Sequence, residues 1–451
     1  MYFSFLSSRK ARALPILFSF SVLLAGCVPP ENTSLNQSST VSNTNSTMAN
    51  TANSNNISVP EEQAVGRPVT MPLLGAMLSD DTFVNEAKTA LQITDEQIQR
   101  LREASQNAVS NLDESDEDSR STRAAMERAE KQIQEVLGQE KAARFIALVQ
   151  QRWGGENDGG TLAAQPNSVP TDTRIVVNAP AYRMDIFKEG KLAKTYKIGI
   201  GYPEFPLPTG LRKASTIIFN PTWTPPDEPW VKGKVQPGKK VEAGDKLNPL
   251  GPIKIPIGLP SLIHGGKSPA RLGTFASHGC VGLTSPQIQD FAMEISNLSG
   301  EPLTMQDIKN YEKTKTETKE VKLEQAIPVE LRYETIVIED GKLKIFRDVY
   351  EHGTNTEENL RRVLEVYGVS LDNLKDREKI LAGLTQMAVD SQGKAVEMNQ
   401  NINSNVSNNS KMPSNSGDGS VTKNIKGKKE VVFVLAELKG KGYPAPVNMK
   451  M

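Results

Sequence analysis

Two of the three histidines in this 451-residue chain lie within sixteen positions of Cys280. The stretch reads Ile263-His264-Gly265-Gly266 and then, after twelve residues beyond His264, Ser277-His278-Gly279-Cys280-Val281-Gly282-Leu283. A thiol of ordinary acidity, pKa ~8.5, is mostly protonated at neutral pH, and an imidazole within reach can make it a thiolate. His264 and His278 are both candidate bases. The interleaved glycines permit turns with φ > 0 and bring backbone N–H groups close to a reacting carbonyl, as an oxyanion hole requires. The pattern points to nucleophilic acyl transfer. A zinc site built from His264, His278 and Cys280 would lack a fourth ligand, so neither metal nor cofactor is expected.

The chain has only two cysteines, and the other, Cys27, closes an apparent export leader. Arg9, Lys10 and Arg12 form its basic segment, and 13–24 form an apolar run too short to span a bilayer. Leu24-Ala25-Gly26-Cys27 resembles the lipobox of bacterial lipoproteins. That resemblance implies a leader over 1–26, a lipidated Cys27 and a membrane-anchored protein facing the cell wall. Val28 in place of an aspartate favours the outer membrane in a two-membrane cell. Cys280 is then left without a disulfide partner, which in an oxidising compartment suggests a reactive thiol.

The elements that must position these residues divide by composition. A Ser/Thr/Asn-rich stretch over 27–65 has too little apolar surface to fold and reads as a disordered tether. Residues 70–155 read as a helical accessory region of three helices. Its first helix opens on the capping box Thr94-Asp95-Glu96-Gln97, and the acidic run 113–118 separates it from the next. From Arg174 the apolar period becomes two: 174–177, 182–187 and 194–200 read as strands, with Glu189-Gly190 as a hairpin turn. The many prolines of 203–256 argue for ordered loops and against a central strand through most of that passage. A helix is predicted over 285–298, a charged connector over 313–322, and a strand pair over 329–338 and 343–350. Helical segments fall within 356–390, a second disordered linker spans 395–427, and the tail 428–451 holds one possible strand. The fold class is therefore multidomain, a mainly β catalytic domain preceded by a small α-helical region and flanked by linkers. The 53 basic and 53 acidic residues cancel, so the global charge does not suggest nucleic acid as a partner.

The motif resembles the His…Ser-His-Gly-Cys signature of YkuD-type L,D-transpeptidases. Arg174 to Val177 with Asn178-Ala179-Pro180, Leu207-Pro208-Thr209-Gly210, Pro221-Thr222-Trp223 and Asn248-Pro249-Leu250-Gly251 are similar to family landmarks in family order. The resemblance covers 173–350, with a core at 173–308 and a strand extension at 321–350. It implies a β-sandwich-like domain with a short helix. It also implies Cys280 as nucleophile, and His264 as base in a thiolate–imidazolium pair oriented by the carbonyl of Gly265. His278, Gly279 and Cys280 would offer oxyanion N–H groups, with Ser277 supporting the turn. The substrates implied are peptidoglycan stem peptides: Cys280 takes the acyl group of the third residue of a tetrapeptide, and an amine receives it in a 3→3 cross-link. The same site serves an L,D-carboxypeptidase or protein attachment to the wall, and an inactive wall-binding lipoprotein is the alternative of another class. Two positions depart from the family: Gly266 replaces a threonine, and Gly282 replaces an arginine or asparagine suited to a substrate carboxylate. Arg271 and Arg212 are candidates to supply the missing charge. His352, outside the motif, reads as an exposed loop residue.

Overall fold

The computed structural model describes residues 67–110, 121–155, 165–225, 235–236, 238–390, 393, 395–396 and 427–444. The leader, Cys27, the tether over 27–65, the acidic run 113–118 and nearly all of the 395–427 linker lie outside the described residues. The described residues belong to one compact unit.

Five helices, rather than three, form the N-terminal region: α1 (Met71–Leu78), α2 (Asp81–Leu91), α3 (Asp95–Ser110), α4 (Thr122–Leu137) and α5 (Gln139–Gly154). Four of the five starts carry a side-chain cap, and only α5 begins without one, at Gly138. The Thr70 side chain caps α1, Asp80 accepts from the N–H groups of Thr82 and Phe83, and Ser121 accepts from Ala124 N–H. Thr94 and Gln97 close their box reciprocally, at 3.1 and 3.2 Å. Helix α1 escapes a periodicity reading because Met71, Leu73, Leu74, Met77 and Leu78 are all buried, so it has no polar stripe. These residues join Phe83, Leu101, Ile133, Phe145 and Trp153 in one core.

The β-rich region that follows is built on a mixed eight-stranded sheet. Its strands are β1 (Arg174–Asn178), β2 (Arg183–Lys188), β3 (Lys191–Lys197), β5 (Gly210–Phe219), β6 (Ile253–Pro256), β7 (Leu262–His264), β9 (Val281–Gly282) and β10 (Lys319–Arg332), in the order β3-β2-β1-β10-β5-β6-β7-β9. A short pair, β4 (Ile200–Gly201) and β8 (Phe275–Ser277), runs parallel beside it. Helices α6 (Ser285–Ser299) and α7 (Met305–Lys313) complete the layer. The sheet curls about α6, so that Ile175, Met184 and Tyr196 share a core with Ile255, Ile263, Phe291 and Ile295. A fully buried phenylalanine such as Phe291 contributes about 1.5–3 kcal/mol.

Strand β5 corrects the reading of 203–256 as loops. It is a central strand of ten residues, hydrogen-bonded to β10 on one side and β6 on the other. The prolines stop at Pro208 and resume at Pro221, which leaves a stretch free to donate along the ladder. Similarly, the charged connector expected over 313–322 runs at its end into β10, which begins at Lys319. Lys319, Glu320, Lys322 and Glu324 are exposed there while Leu323 is buried, and the charges mask the strand period.

Beyond β10, β11 (Ile336–Glu339), β12 (Lys342–Phe346) and β13 (Glu430–Val434) form an antiparallel sheet. Helices α8 (Glu357–Val366) and α9 (Arg377–Met387) pack on it through Leu360, Leu364, Ile380 and Leu384. The tail strand β13 is thus structural, pairing Val431 with Ile345 and Phe433 with Leu343. Tyr443 then ties this layer to the main sheet by donating its hydroxyl to Asp185 at 2.7 Å.

Candidate active site

His264 ends β7, which lies between β6 and β9. Strand β9 runs parallel to β7 with His264 opposite Gly282, and Cys280 stands immediately before β9. The sheet thus brings together two residues sixteen positions apart. The His264 ring is buried, 3% exposed, and its Nδ1 lies 2.9 Å from the carbonyl oxygen of Gly265. That carbonyl can only accept, so Nδ1 carries the proton and Nε2 keeps its lone pair.

The turn that presents Cys280 is closed by Ser277. Its Oγ accepts from the N–H of Cys280 at 3.0 Å and donates back to the carbonyl of the same residue. Gly279 between them has φ +83°, a conformation that other residues adopt only with strain. The Cys280 N–H, expected among the oxyanion donors, is therefore already engaged by Ser277. The thiol is half-buried and lies 4.0 Å from the carbonyl of His278.

His278 is held edge-on by two aromatic rings, Tyr202 at 5.0 Å and Phe205 at 4.7 Å between centroids. This clamp was not legible in the sequence, because its members are more than seventy positions from His278. The clamp loop is itself anchored from several sides. Thr70 donates to the carbonyl of Glu204 and Thr122 to that of Pro203, both at 2.8 Å, and Arg67 donates to that of Thr209 at 3.0 Å. Tyr350 donates to the carbonyl of Gly201 at 2.8 Å. The helical region thus supports the wall of the site.

The two candidate replacement cations part company. Arg212 is buried and donates to the carbonyls of Ile257, Leu259 and Trp153, where it joins the end of α5 to the sheet. Arg271 donates to the Tyr202 hydroxyl at 3.0 Å and so is tied to the clamp itself. A third cation, Lys267, went unnoticed in the sequence and lies in the site itself. Its stem crosses Gly282, and its charge acts on both His264 and Cys280.

Burial sets the protonation of the pair. It depresses His264 to about 3, helped by Lys267 and opposed by backbone hydrogen bonds at Gly265 and Leu250. Burial also raises the Cys280 thiol, against the lowering influence of the Leu262 backbone and Lys267. Both shifts act in the direction of a neutral thiol and a neutral imidazole. His352 also departs from expectation: it is half-buried with its ring 3.9 Å from that of Tyr333, and burial lowers its pKa to about 4.

A thiol beside a backbone-oriented neutral imidazole, on adjoining strands of a mixed sheet, is equipped for thiol-dependent acyl transfer. Residues 172–304 match the family model of YkuD, the L,D-transpeptidase catalytic domain. No curated protein matches the chain. Among solved structures, the chain is similar to the catalytic domain of the E. faecium L,D-transpeptidase, at 18% identity and a TM-score of 0.24, covering 36% of this chain and 98% of that one. It is similar to the Ldtfm–avibactam carbamoyl enzyme at 21% identity and a TM-score of 0.24, covering 39% of this chain and 54% of that one. An L,D-transpeptidase from Mycobacterium smegmatis follows at 15% identity and a TM-score of 0.22, covering 36% and 58%. The chain therefore spans little more than half the length of the latter two.

Proposed function

We propose that this protein is an exported peptidoglycan L,D-transpeptidase, held at a membrane through lipid on Cys27, with Cys280 as nucleophile and His264 as base. The observation that carries the reading is the orientation of His264: its Nδ1 is committed to the Gly265 carbonyl, so its Nε2 is the basic atom on the strand beside Cys280.

In this scheme Cys280 Sγ attacks the carbonyl of the third residue of a tetrapeptide stem while its proton passes to His264 Nε2. The pair starts neutral in this reading, so that transfer accompanies the attack. The backbone N–H of Gly279, with that of His278, receives the developing oxyanion. The intermediate collapses with cleavage of the peptide bond, and the imidazolium gives its proton to the departing amine of D-alanine, leaving a thioester. An amine of a second stem then attacks the thioester and loses its proton to His264. The thiolate leaves and recovers that proton, and a 3→3 cross-link results. The donor's own peptide bond supplies the acyl group, so no external energy source is required.

The test is incubation of the full-length protein in detergent with a disaccharide-tetrapeptide, followed by mass analysis. A dimer lacking one D-alanine is the expected product. A tripeptide alone would indicate transfer to water and an L,D-carboxypeptidase. No product, with no acyl adduct on Cys280, would refute the enzymatic reading.

A further inference from the structure

Gly201 closes the short strand β4, opposite Ser277 of β8. The strand lies directly against the turn that presents Cys280. A Cβ built on Gly201 would stand 3.2 Å from both the N and the Cα of Gly279, and it would collide with the carbonyl oxygen of Phe205. Backbone therefore meets backbone at this point, as only glycine allows. Where the Gly201 peptide sits decides where the Gly279 N–H, one of the two donors assigned above to the oxyanion, can point.

The peptide unit that joins Gly201 to Tyr202 is pinned at both ends. Its N–H, that of Tyr202, donates to the carbonyl of Ser277 at 2.9 Å. Its carbonyl, that of Gly201, takes the hydroxyl of Tyr350 at 2.8 Å. Tyr350 comes from the segment after β12, nearly 150 positions from Gly201, and is 1% exposed. Its ring stacks with Phe275 of β8 and with Tyr333, at centroid distances of 6.3 and 5.7 Å. Its N–H donates to the Tyr333 hydroxyl at 2.8 Å, and that hydroxyl donates to Asp348 at 2.6 Å. Tyr350 is thus itself held in place, and it touches both strands of the β4–β8 pair.

We propose that Tyr350 is a positioning residue for acyl transfer: through the Gly201 carbonyl it holds β4 against Gly279 and so aims the Gly279 N–H at the oxyanion. The inference rests on the acyl-transfer reading above and adds the side chain that keeps its oxyanion donor in place. Loss of the hydroxyl leaves a buried carbonyl unpaired, and a buried carbonyl turns toward any donor it can find. That rotation also loosens the Tyr202 N–H from Ser277, whose own Oγ closes the Cys280 turn.

The experiment compares full-length wild-type protein in detergent with Tyr350→Phe, which keeps the stacked ring and removes only the hydroxyl. Two reactions of Cys280 are followed by intact mass. In acylation by a disaccharide-tetrapeptide an oxyanion forms. In alkylation by iodoacetamide an Sγ–C bond forms as iodide leaves, and no oxyanion develops. Tyr350→Phe should lower the maximal acylation rate by ~10- to 100-fold, short of the ~10²–10³-fold that removal of an oxyanion donor costs, with KM within about threefold. Alkylation, which needs the thiol but no oxyanion donor, should stay within about twofold and keep its pH profile. Equal losses in the two reactions, or unchanged acylation, overturn the proposal. Phe275→Leu thins the stack but keeps the hydroxyl, so it should lower the melting temperature without splitting the two reactions; a split as large as that of Tyr350→Phe would overturn the assignment to the hydroxyl. If the wild type is alkylated but forms no thioester, the acyl-transfer reading fails and this inference fails with it.

Discussion

His264 and His352 are both held neutral by burial, one lowered to about 3 and the other to about 4, yet their surroundings differ in kind. Around His264 the neighbours are a thiol, backbone carbonyls, glycines and a lysine stem. Around His352 they are tyrosines and a satisfied carboxylate. Its ring packs at a tilt against Tyr333, whose hydroxyl donates to Asp348 at 2.6 Å, while Asp348 also accepts the N–H groups of His352 and Thr354. Burial and a depressed pKa therefore do not by themselves make a histidine a base. A nucleophile within reach and space left by glycine do.

Removal of either reacting group should show this difference most strongly. Cys280→Ala should abolish thioester formation in intact mass spectra, and His264→Gln should slow acylation by ~10²–10⁴-fold with the fold retained. His352→Gln should leave kcat/KM within about threefold. Equal damage from His352→Gln would break the comparison.

The same substitution should register in stability instead. Loss of the ring packed against Tyr333 should cost about 1–3 kcal/mol in denaturant melts, whereas His264→Gln should cost less than it does in rate.

The pH dependence of stability separates the groups further. Between pH 4.5 and 6.5 each buried histidine is neutral when folded and protonated when unfolded, so each adds a positive slope of stability against pH. Glu351 works in the opposite sense. Burial and Asp390 raise it to about 7, so its contribution is complete below 4.5 and is lost as pH rises through 7. These three groups together leave a net slope of ~1.4 kcal/mol per pH unit, with stability falling toward acid. Glu351→Gln should steepen the measured slope and His352→Gln should make it shallower, in urea melts across the window.

The smallest effect concerns the supported wall. Thr122→Val removes one hydrogen bond to the Pro203 carbonyl and should lower stability by about 0.5–1.5 kcal/mol. It should slow acylation by only a few-fold, through looser seating of Phe205 on His278.

Much of this site could be read in the residues alone. Cys280 and His264 announce themselves by type and spacing, and the Glu189-Gly190 turn is where its sequence places it, with φ of +48° and +77°. Helix α6, expected over 285–298, runs from Ser285 to Ser299. What escaped the reading depends on partners far along the chain. Strand β5 was hidden among prolines and α1 by burial on all sides, while the strand expected in the tail did not reveal that it would pair Val431 with Ile345.

The sequence by itself determined the nucleophile, its candidate bases and the glycines of the turn, because these follow from side-chain chemistry and local backbone freedom. Tertiary structure decided which histidine is oriented and which is clamped between Tyr202 and Phe205. It also decided that the space at Gly282 belongs to Lys267. Burial and close contact are properties of surfaces brought together by folding, and a glycine in the sequence does not say which neighbour will fill the room it leaves.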